Sequence, residues 1–419
     1  MTSASTRPKI LIIGDAVAPT GFARVIRSIF GRLTGHYELH QLATRYDGEA
    51  HDWPWTLHRA SRGNSAYGYD QIAPLIDELR PELIFLLYDI AFQAPYLSHI
   101  RAATWRPKVV MYTPVEAGPI APELLERLSG LSRYVMYTGY GRDVIENSLT
   151  QLRERNPEFK FPTLEVIPHG TDSGRFFPIN AVDESAVERT GADADKARRK
   201  AARLHLKIDD PDHPDTFIVL NANRNMPRKR IDLTMQGFAL FARDKPPNVK
   251  LYLHMATEDS GWNVLILAKR YGIYDRLIMT RADNVRPQLS DAELNWIYNA
   301  CDVGITTTTG EGWGMVSFEH AATRAAQIVP RHTSLAELWA GSAEFIEPVA
   351  TTTWPGNLTE GHIVSVEGVA AALQRVYEDP DHRYALADKA YANANHPDYG
   401  WDAISMRWKA LFDDVIATP

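Results

Sequence analysis

Short apolar runs and amphipathic stretches alternate along this chain in two series. In the first, KILIIGD (9–15), ELIFLLYD (82–89), KVVMYTP (108–114), YVMYTG (134–139) and LEVIPHG (164–170) are apolar at neighbouring positions, the pattern of strands covered on both faces. Between them GFARVIRSIFGRL (21–33) and YDQIAPLIDELR (69–80) repeat apolar residues every three or four positions, as amphipathic helices do. After residue 215 the alternation starts afresh with strands FIVLNAN (217–223), VKLYLHM (249–255), DRLIMT (275–280) and DVGITTTT (302–309), and a helix IDLTMQGFALFAR (231–243). Strands alternating with helices predict right-handed βαβ units and parallel sheets. Two doubly wound α/β domains are therefore expected, with ligands bound in a cleft at the carboxyl ends of their strands.

The break between the two series, 179–215, is charged and alanine-rich and reads as a solvated helix plus linker. The closing YGWDAISMRWKALFDDVIA (399–417) predicts an amphipathic helix with Trp401, Met406, Trp408, Leu411 and Phe412 available for burial. This gives an N-terminal domain over 1–178, a linker over 179–215, a C-terminal domain over 216–397 and a last helix over 398–419.

Composition narrows the function. The net charge of −7 argues against a strong electrostatic grip on nucleic acid. Residues 1–180 are balanced, with 19 Lys+Arg and 19 Asp+Glu of the 45 and 52 in the chain, which leaves room for a local basic face. One cysteine, Cys301, allows neither an intrachain disulfide nor a cysteine-built metal site, and the 14 histidines lack ligand spacing. No apolar run approaches the roughly 20 residues needed to span a bilayer, and the opening MTSASTRPKILIIGD lacks a leader's long apolar segment. A cytoplasmic protein is expected.

Two clusters carry candidate chemistry. NANRNMPRKRID (221–232) puts Arg224, Arg228, Lys229 and Arg230 at the carboxyl end of a predicted strand, where a polyanion such as a pyrophosphate would bind. TTTTGEGWGMVSFEHAA (306–322) lies between a predicted strand and a helix expected to run on through 318–326. Its glycines let backbone N–H groups crowd an anion or a hydroxyl, and the acceptor-only carboxylates of Glu311 and Glu319 suit the hydroxyls of a sugar and a ribose.

These blocks resemble a known family. EGWGMVSFE looks like the E-x7-E signature of retaining GT-B glycosyltransferases, family 4 in particular, and NRNMPRKRID resembles that family's Arg–Lys segment. VIPHGTDSGRFFP (166–178) and DAVAPTGFARVIRSIF (15–30) are similar to two further blocks, all four in family order. The resemblance implies a GT-B fold: two facing Rossmann-like doubly wound domains with an inter-domain cleft, the C-terminal helix packing back towards the N-terminal domain. It also implies retaining, metal-independent transfer of a hexose or related sugar from a UDP-, GDP- or ADP-linked donor, with no other cofactor. Carried over, Arg224 and Lys229 would clamp the donor pyrophosphate and, with Glu311, form the catalytic set. Glu311 would bond the sugar, Gly312, Trp313, Gly314, Met315 and Val316 would line the donor, Glu319 would bond the ribose, and Gly21 would approach the phosphates or acceptor. Arg230 and Asn223 stand where the family usually has glycine, and His169 where it has asparagine.

The acceptor stays open: a glycan, a small molecule or a modified DNA base. Glu116, His169, Trp53 and Trp55 are its candidate contacts, Trp53 and Trp55 belonging to an aromatic stretch (51–70) able to stack on sugars or bases. A structural role for Glu116, and a loop folded on its own aromatics, are the plainer readings. The alternatives of another class are a nucleotide-sugar epimerase or hydrolase of similar fold, and a silent nucleotide-binding scaffold.

Overall fold

The computed structural model describes residues 7–62, 65–179, 192–209 and 215–418. The chain divides into two compact units, the first spanning Met1–Gly170, Trp354–Thr359 and Pro397–Pro419, the second Thr171–Thr353 and Glu360–His396.

The first unit holds a sheet of β1 (Lys9–Asp15), β2 (Glu38–Thr44), β3 (Thr56–Arg59), β4 (Leu83–Leu87), β5 (Lys108–Thr113), β6 (Arg133–Met136) and β7 (Thr163–Val166). All pairings are parallel, in the order β3-β2-β1-β4-β5-β6-β7. Strand order therefore reverses between β1 and β4, where Ile12 lies opposite Phe85. Every residue of β4 is buried, as helices on both faces require. Its helices are α1 (Gly21–Phe30), α2 (Tyr69–Leu79), α3 (Ile90–Ala102), α4 (Pro122–Glu126) and α5 (Gly139–Arg155). The hydroxyls of Thr20 and Thr138 cap α1 and α5 by accepting from Ala23 N and Gly141 N, both at 3.1 Å.

The C-terminal helix (Trp401–Ala417) belongs to this first unit, as expected. Trp408 packs edge-on against Phe85 and Tyr112, with centroids 5.1 and 4.8 Å apart, and Phe412 stacks on Phe30 at 5.7 Å. Trp401 and Ile404 are buried too, whereas Met406 is exposed: the buried stripe runs 401, 404, 408, 412 and 415, and Met406 faces away from it.

The second unit repeats the plan with β8 (Phe217–Asn221), β9 (Val249–Leu253), β10 (Leu277–Met279), β11 (Val303–Ile305), β12 (Ala326–Pro330) and β13 (Glu344–Ile346), in the order β10-β9-β8-β11-β12-β13 and all parallel. An antiparallel hairpin of β14 (Pro348–Thr353) and β15 (Glu360–Val364) follows. Its helices are α6 (Ala192–Leu206), α7 (Ile231–Ala242), α8 (Val264–Arg270), α9 (Asp291–Ala300), α10 (Met315–Ala321), α11 (Thr333–Leu338), α12 (Val366–Glu378) and α13 (Pro380–Ala394). Gly237 lets α7 and α12 approach, since a Cβ there would fall 2.2 Å from Val369.

Two expectations change. The helix expected through 318–326 stops at Ala321, because Arg324 turns left-handed (φ 64°) and Ala326 already opens β12. The charged helix is solvated on one face only. Along α6 the side chains of Asp195, Arg198, Arg199 and Arg203 are buried, and Arg203 donates through Nη2 to Asp302 (2.6 Å), through Nε to the carbonyl of Ala300 (2.9 Å) and through Nη1 to that of Thr216 (2.7 Å). Burial alone would raise the Asp302 pKa, but the charges of Arg203 and Arg199 outweigh it and hold the group below its ordinary value. The rest of that stretch, 180–191 and 210–214, lies outside the described residues. Among the described residues no helix is long and apolar enough to cross a membrane.

Truncating the central anchor of the C-terminal helix tests its place in the first core. Trp408→Ala is expected to cost about 3–5 kcal/mol, read as a lowered midpoint in urea unfolding followed by tryptophan fluorescence.

Candidate functional site

In an open parallel sheet, ligands bind outside the carboxyl ends of the strands where the order reverses. In the second unit that point lies between β8 and β11. The loops leaving those strands are 222–230 and 306–314, the two segments in which the sequence concentrates cations, threonines and glycines.

The threonine run ties the two loops together. Thr309 N and Oγ1 donate to Arg228 O (2.8 and 3.3 Å), and Thr307 Oγ1 donates to Arg230 O at 2.7 Å. Thr307 and Thr234 hydroxyls lie 2.7 Å apart, and Asn221 Nδ2 donates to Thr234 Oγ1 at 3.0 Å, continuing the chain to the end of β8. Hydroxyls on a strand extension can satisfy backbone carbonyls that a tight turn leaves without ladder partners. The turn Pro227–Lys229 ends at Arg230, whose φ of 46° explains why a glycine suits this position; here Arg230 forks onto Asp232 instead (3.0 and 2.8 Å).

The charges converge on Glu311. Its carboxylate pairs with Lys229 Nζ, and Arg228 Nη1 lies 3.6 Å from the same oxygen while donating to Gly310 O at 2.5 Å. Lys229 and Glu311 are both buried. Burial pushes the Glu311 pKa up, but the charges of Lys229 and then Arg228 more than offset it and hold the group below its ordinary value. Glu319, inside α10, is buried and accepts from Tyr298 OH at 3.0 Å. The two glutamates thus sit as the spacing predicted, one in the loop and one on the helix.

Arg224 takes a different partner from Lys229. It is half-exposed and forks onto Asp259 after β9, with Nε–Oδ2 at 2.8 Å and Nη2–Oδ1 at 3.3 Å, and Arg286 after β10 reaches the same carboxylate. Gly314 alone of the three loop glycines adopts a positive φ (87°). Gly312 is buried, and Gly314, Met315 and Val316 are half-buried. Trp313 packs into the core, stacked on Phe318 at 4.9 Å.

Periodicity gave no hint of several neighbours. Thr333, at the start of α11, has φ 49°, a strained value for a β-branched residue, and its hydroxyl accepts from Glu311 N at 3.3 Å. His332 is buried against His362 (5.0 Å between rings), and burial pushes its pKa down to about 4. Asp259, Arg286 and Thr333 all follow strand ends, so the signal was positional: the residues just past β9, β10 and β12.

The remaining candidates lie in the first unit. Gly21 is exposed at the first turn of α1, after a loop in which Val17 holds φ 65°. Below that loop buried Asp15 accepts from the hydroxyls of Thr44 (2.8 Å), Thr20 (2.9 Å) and Tyr88 (3.1 Å). Trp53 and Trp55 are buried and pack edge-on at 5.1 Å, and Trp55 Nε1 donates to Gln41 at 3.0 Å. His169 is buried with Nδ1 2.8 Å from Tyr112 OH, and burial pushes its pKa down to about 3. Gly170 beside it leaves room for Trp401, 2.5 Å from where a Cβ would stand. Glu116 is half-buried in the loop after β5.

This pair of parallel-sheet, Rossmann-like units is the fold of GT-B glycosyltransferase structures. The chain superposes on sucrose-phosphate synthase from Thermosynechococcus elongatus with a TM-score of 0.69 at 15% identity, over 99% of this chain and 100% of that one. Anabaena HepE in complex with UDP and glucose gives 0.66 at 16%, covering 97% and 100%. Burkholderia multivorans α,α-trehalose-6-phosphate synthase gives 0.65 at 12%, covering 98% and 99%. At these identities the likeness is one of fold. No protein-family model matches the chain, and no curated protein matches it in sequence.

Two outcomes follow from the buried pair. Lys229→Met leaves Glu311 buried with only the more distant Arg228, so a loss of about 3–5 kcal/mol is expected, most of it recovered in Lys229→Met/Glu311→Gln; urea unfolding measures both. Glu311, depressed in the folded state, contributes stability that is present above about pH 4.3, its unfolded value, and is lost as pH falls through its lower folded value. Melting temperatures from neutral pH into acid should fall less steeply in Glu311→Gln than in the parent chain.

Proposed function

We propose that this chain is a glycosyltransferase that moves a hexose from a nucleoside-diphosphate sugar to a hydroxyl acceptor, with retention at the anomeric carbon and without a metal. The observation that carries the reading is the Lys229–Glu311 ion pair, which bridges the two loops at the reversal point of the second sheet. A donor diphosphate supplies Lys229 with a stronger anion, and the released Glu311 carboxylate then accepts from the sugar hydroxyls. Glu319 takes the ribose, and the amides from Gly312 to Val316 line the donor. HepE, of similar fold, is complexed with UDP and glucose, which supports a uracil nucleotide first among UDP, GDP and ADP.

In the transfer, the bond from the anomeric carbon to the diphosphate oxygen breaks and a bond to the acceptor oxygen forms on the same face. The acceptor proton passes to the leaving diphosphate. Arg224 and Lys229 act as catalytic residues by stabilising the charge that grows on that leaving group; removing either is worth about 3 kcal/mol in barrier, roughly 100-fold in rate. Gly21 and its loop, with Glu116, belong to the acceptor side. His169, Trp53 and Trp55 support that side from the core. We favour a glycan or small-molecule acceptor over a modified DNA base, because residues 1–180 carry no charge excess to hold a nucleic acid. The expected setting is the cytoplasm.

The test is a thermal-shift screen of the full chain, free of metal, against UDP-, GDP- and ADP-glucose, with Lys229→Met and Glu311→Ala alongside. A rise in melting temperature with one donor, abolished in Lys229→Met, is expected. A folded protein unmoved by all three would remove the donor site from this loop pair.

A further inference from the structure

We infer that Arg286 is a second guanidinium for the donor diphosphate and that Asp259 is the positioning residue that holds it beside Arg224. The inference rests on the diphosphate site proposed above and extends it to two loops that the sequence did not mark.

Three neighbouring strands supply the arrangement. Arg224 follows β8, Asp259 follows β9 and Arg286 follows β10, and these strands lie side by side in the sheet. Each arginine sets Nε on Asp259 Oδ2, at 2.8 Å for Arg224 and 3.0 Å for Arg286, and Nη2 on Oδ1, at 3.3 and 3.4 Å. Asp259 is additionally fixed by Ser260 N donating to Oδ1 at 2.8 Å. Its side chain is only 14% exposed, whereas those of Arg224 and Arg286 are 44% and 51% exposed. One sheltered carboxylate thus orients two guanidinium planes, and the cluster keeps a net positive charge at the ligand-binding edge.

The loop bearing Asp259 is itself fixed. Asn225 Nδ2 donates to Trp262 O (2.6 Å) and Ala256 O (3.3 Å), and its Oδ1 accepts from Trp262 N (3.0 Å). Gly261 is needed for this closeness, since a Cβ there would stand 2.2 Å from Asn225 Oδ1. Loops 222–230 and 256–262 are therefore clamped to each other, which locates the carboxylate relative to Arg224. An ordinary surface pair looks different: Arg281 and Asp283 join within one loop, both well exposed, and such pairs contribute little.

The chemistry that fits is a phosphate chain. A guanidinium has five N–H donors in a planar fork, and engaging Asp259 through Nε and one Nη leaves donors on the open side of each. Two such forks held side by side match the several oxygens of a diphosphate better than any single anion. The bound anion also relieves the repulsion between two cations that share one carboxylate.

Isothermal titration of the full chain with inorganic pyrophosphate, and with UDP, GDP and ADP, tests this in Arg286→Ala, Arg224→Ala, Lys229→Met and Asp259→Asn. Arg286→Ala is expected to weaken both pyrophosphate and the preferred nucleotide by about tenfold, with the ligand-free melting temperature unchanged. If it weakens the nucleotide but not pyrophosphate, Arg286 reads the nucleoside and the assignment fails. Unchanged binding in Arg286→Ala, with losses in Arg224→Ala and Lys229→Met, overturns the inference while leaving the proposed site standing. Wild-type binding in those two variants as well removes the site and the inference together. Asp259→Asn separates orientation from charge. It removes a negative group near the anion, so a purely electrostatic role predicts tighter pyrophosphate binding, whereas a positioning role predicts weaker binding and no further loss when Arg286→Ala is added.

Discussion

Opposite charges taken out of water together organise the second unit. Lys229 and Glu311 are each buried, and neither could be so alone, because an isolated ion in a low-dielectric interior is strongly disfavoured. The pair therefore fixes two loops that the chain separates by some eighty residues. Around it the threonines at 307 and 309 satisfy the carbonyls of the opposing turn, and Thr333 receives the Glu311 amide. The same logic works on the far side of the sheet, where α6 is attached through Arg199 and Arg203 on Asp302. In both places a polar group is buried only because its partner arrives from a distant segment.

The two units share one topology but use their reversal points differently. In the second, the edge between β8 and β11 is cationic, with acids presented against it. In the first, the corresponding edge between β1 and β4 holds a buried carboxylate: Asp15 accepts from three hydroxyls and lies 3.4 Å from Arg45 Nε, under a loop strained at Val17.

Much of this was legible because strands buried on both faces announce themselves. β1, β4, β5 and β8 read directly as apolar runs, and the cation and glycine clusters fell where strand ends placed them. β2 does not, because His40 and Gln41 interrupt the pattern, nor does the four-residue β3; yet Gln41 is fully buried, its amide spent on Gly14 O, Asp15 O and Trp55 Nε1. The buried face of the charged helix α6 is hidden from the sequence in the same way. Burial of arginine depends on where Asp302 ends up, and periodicity carries no information about that. Trp53 and Trp55 follow the plainer of their two readings, a loop folded on its own aromatics: they pack edge-on against each other, and Trp55 against Phe30 of α1, contacts that depend on which apolar surface reaches a tryptophan first. The pairing of Lys229 with Glu311, and of Arg224 with Asp259, required the sheet order that brings those loops together.

The C-terminal helix carries a consequence for how the protein is made. Residues 397–419 are synthesised after the whole of the second unit, yet they cover Phe30, Phe85 and Tyr112 of the first. On the ribosome the earliest strands must wait with an apolar wall uncovered while more than half the chain is still to come. The first unit therefore cannot complete its packing until the end of the chain has emerged, a departure from the usual vectorial order. During that interval the exposed wall is a natural target for holding chaperones.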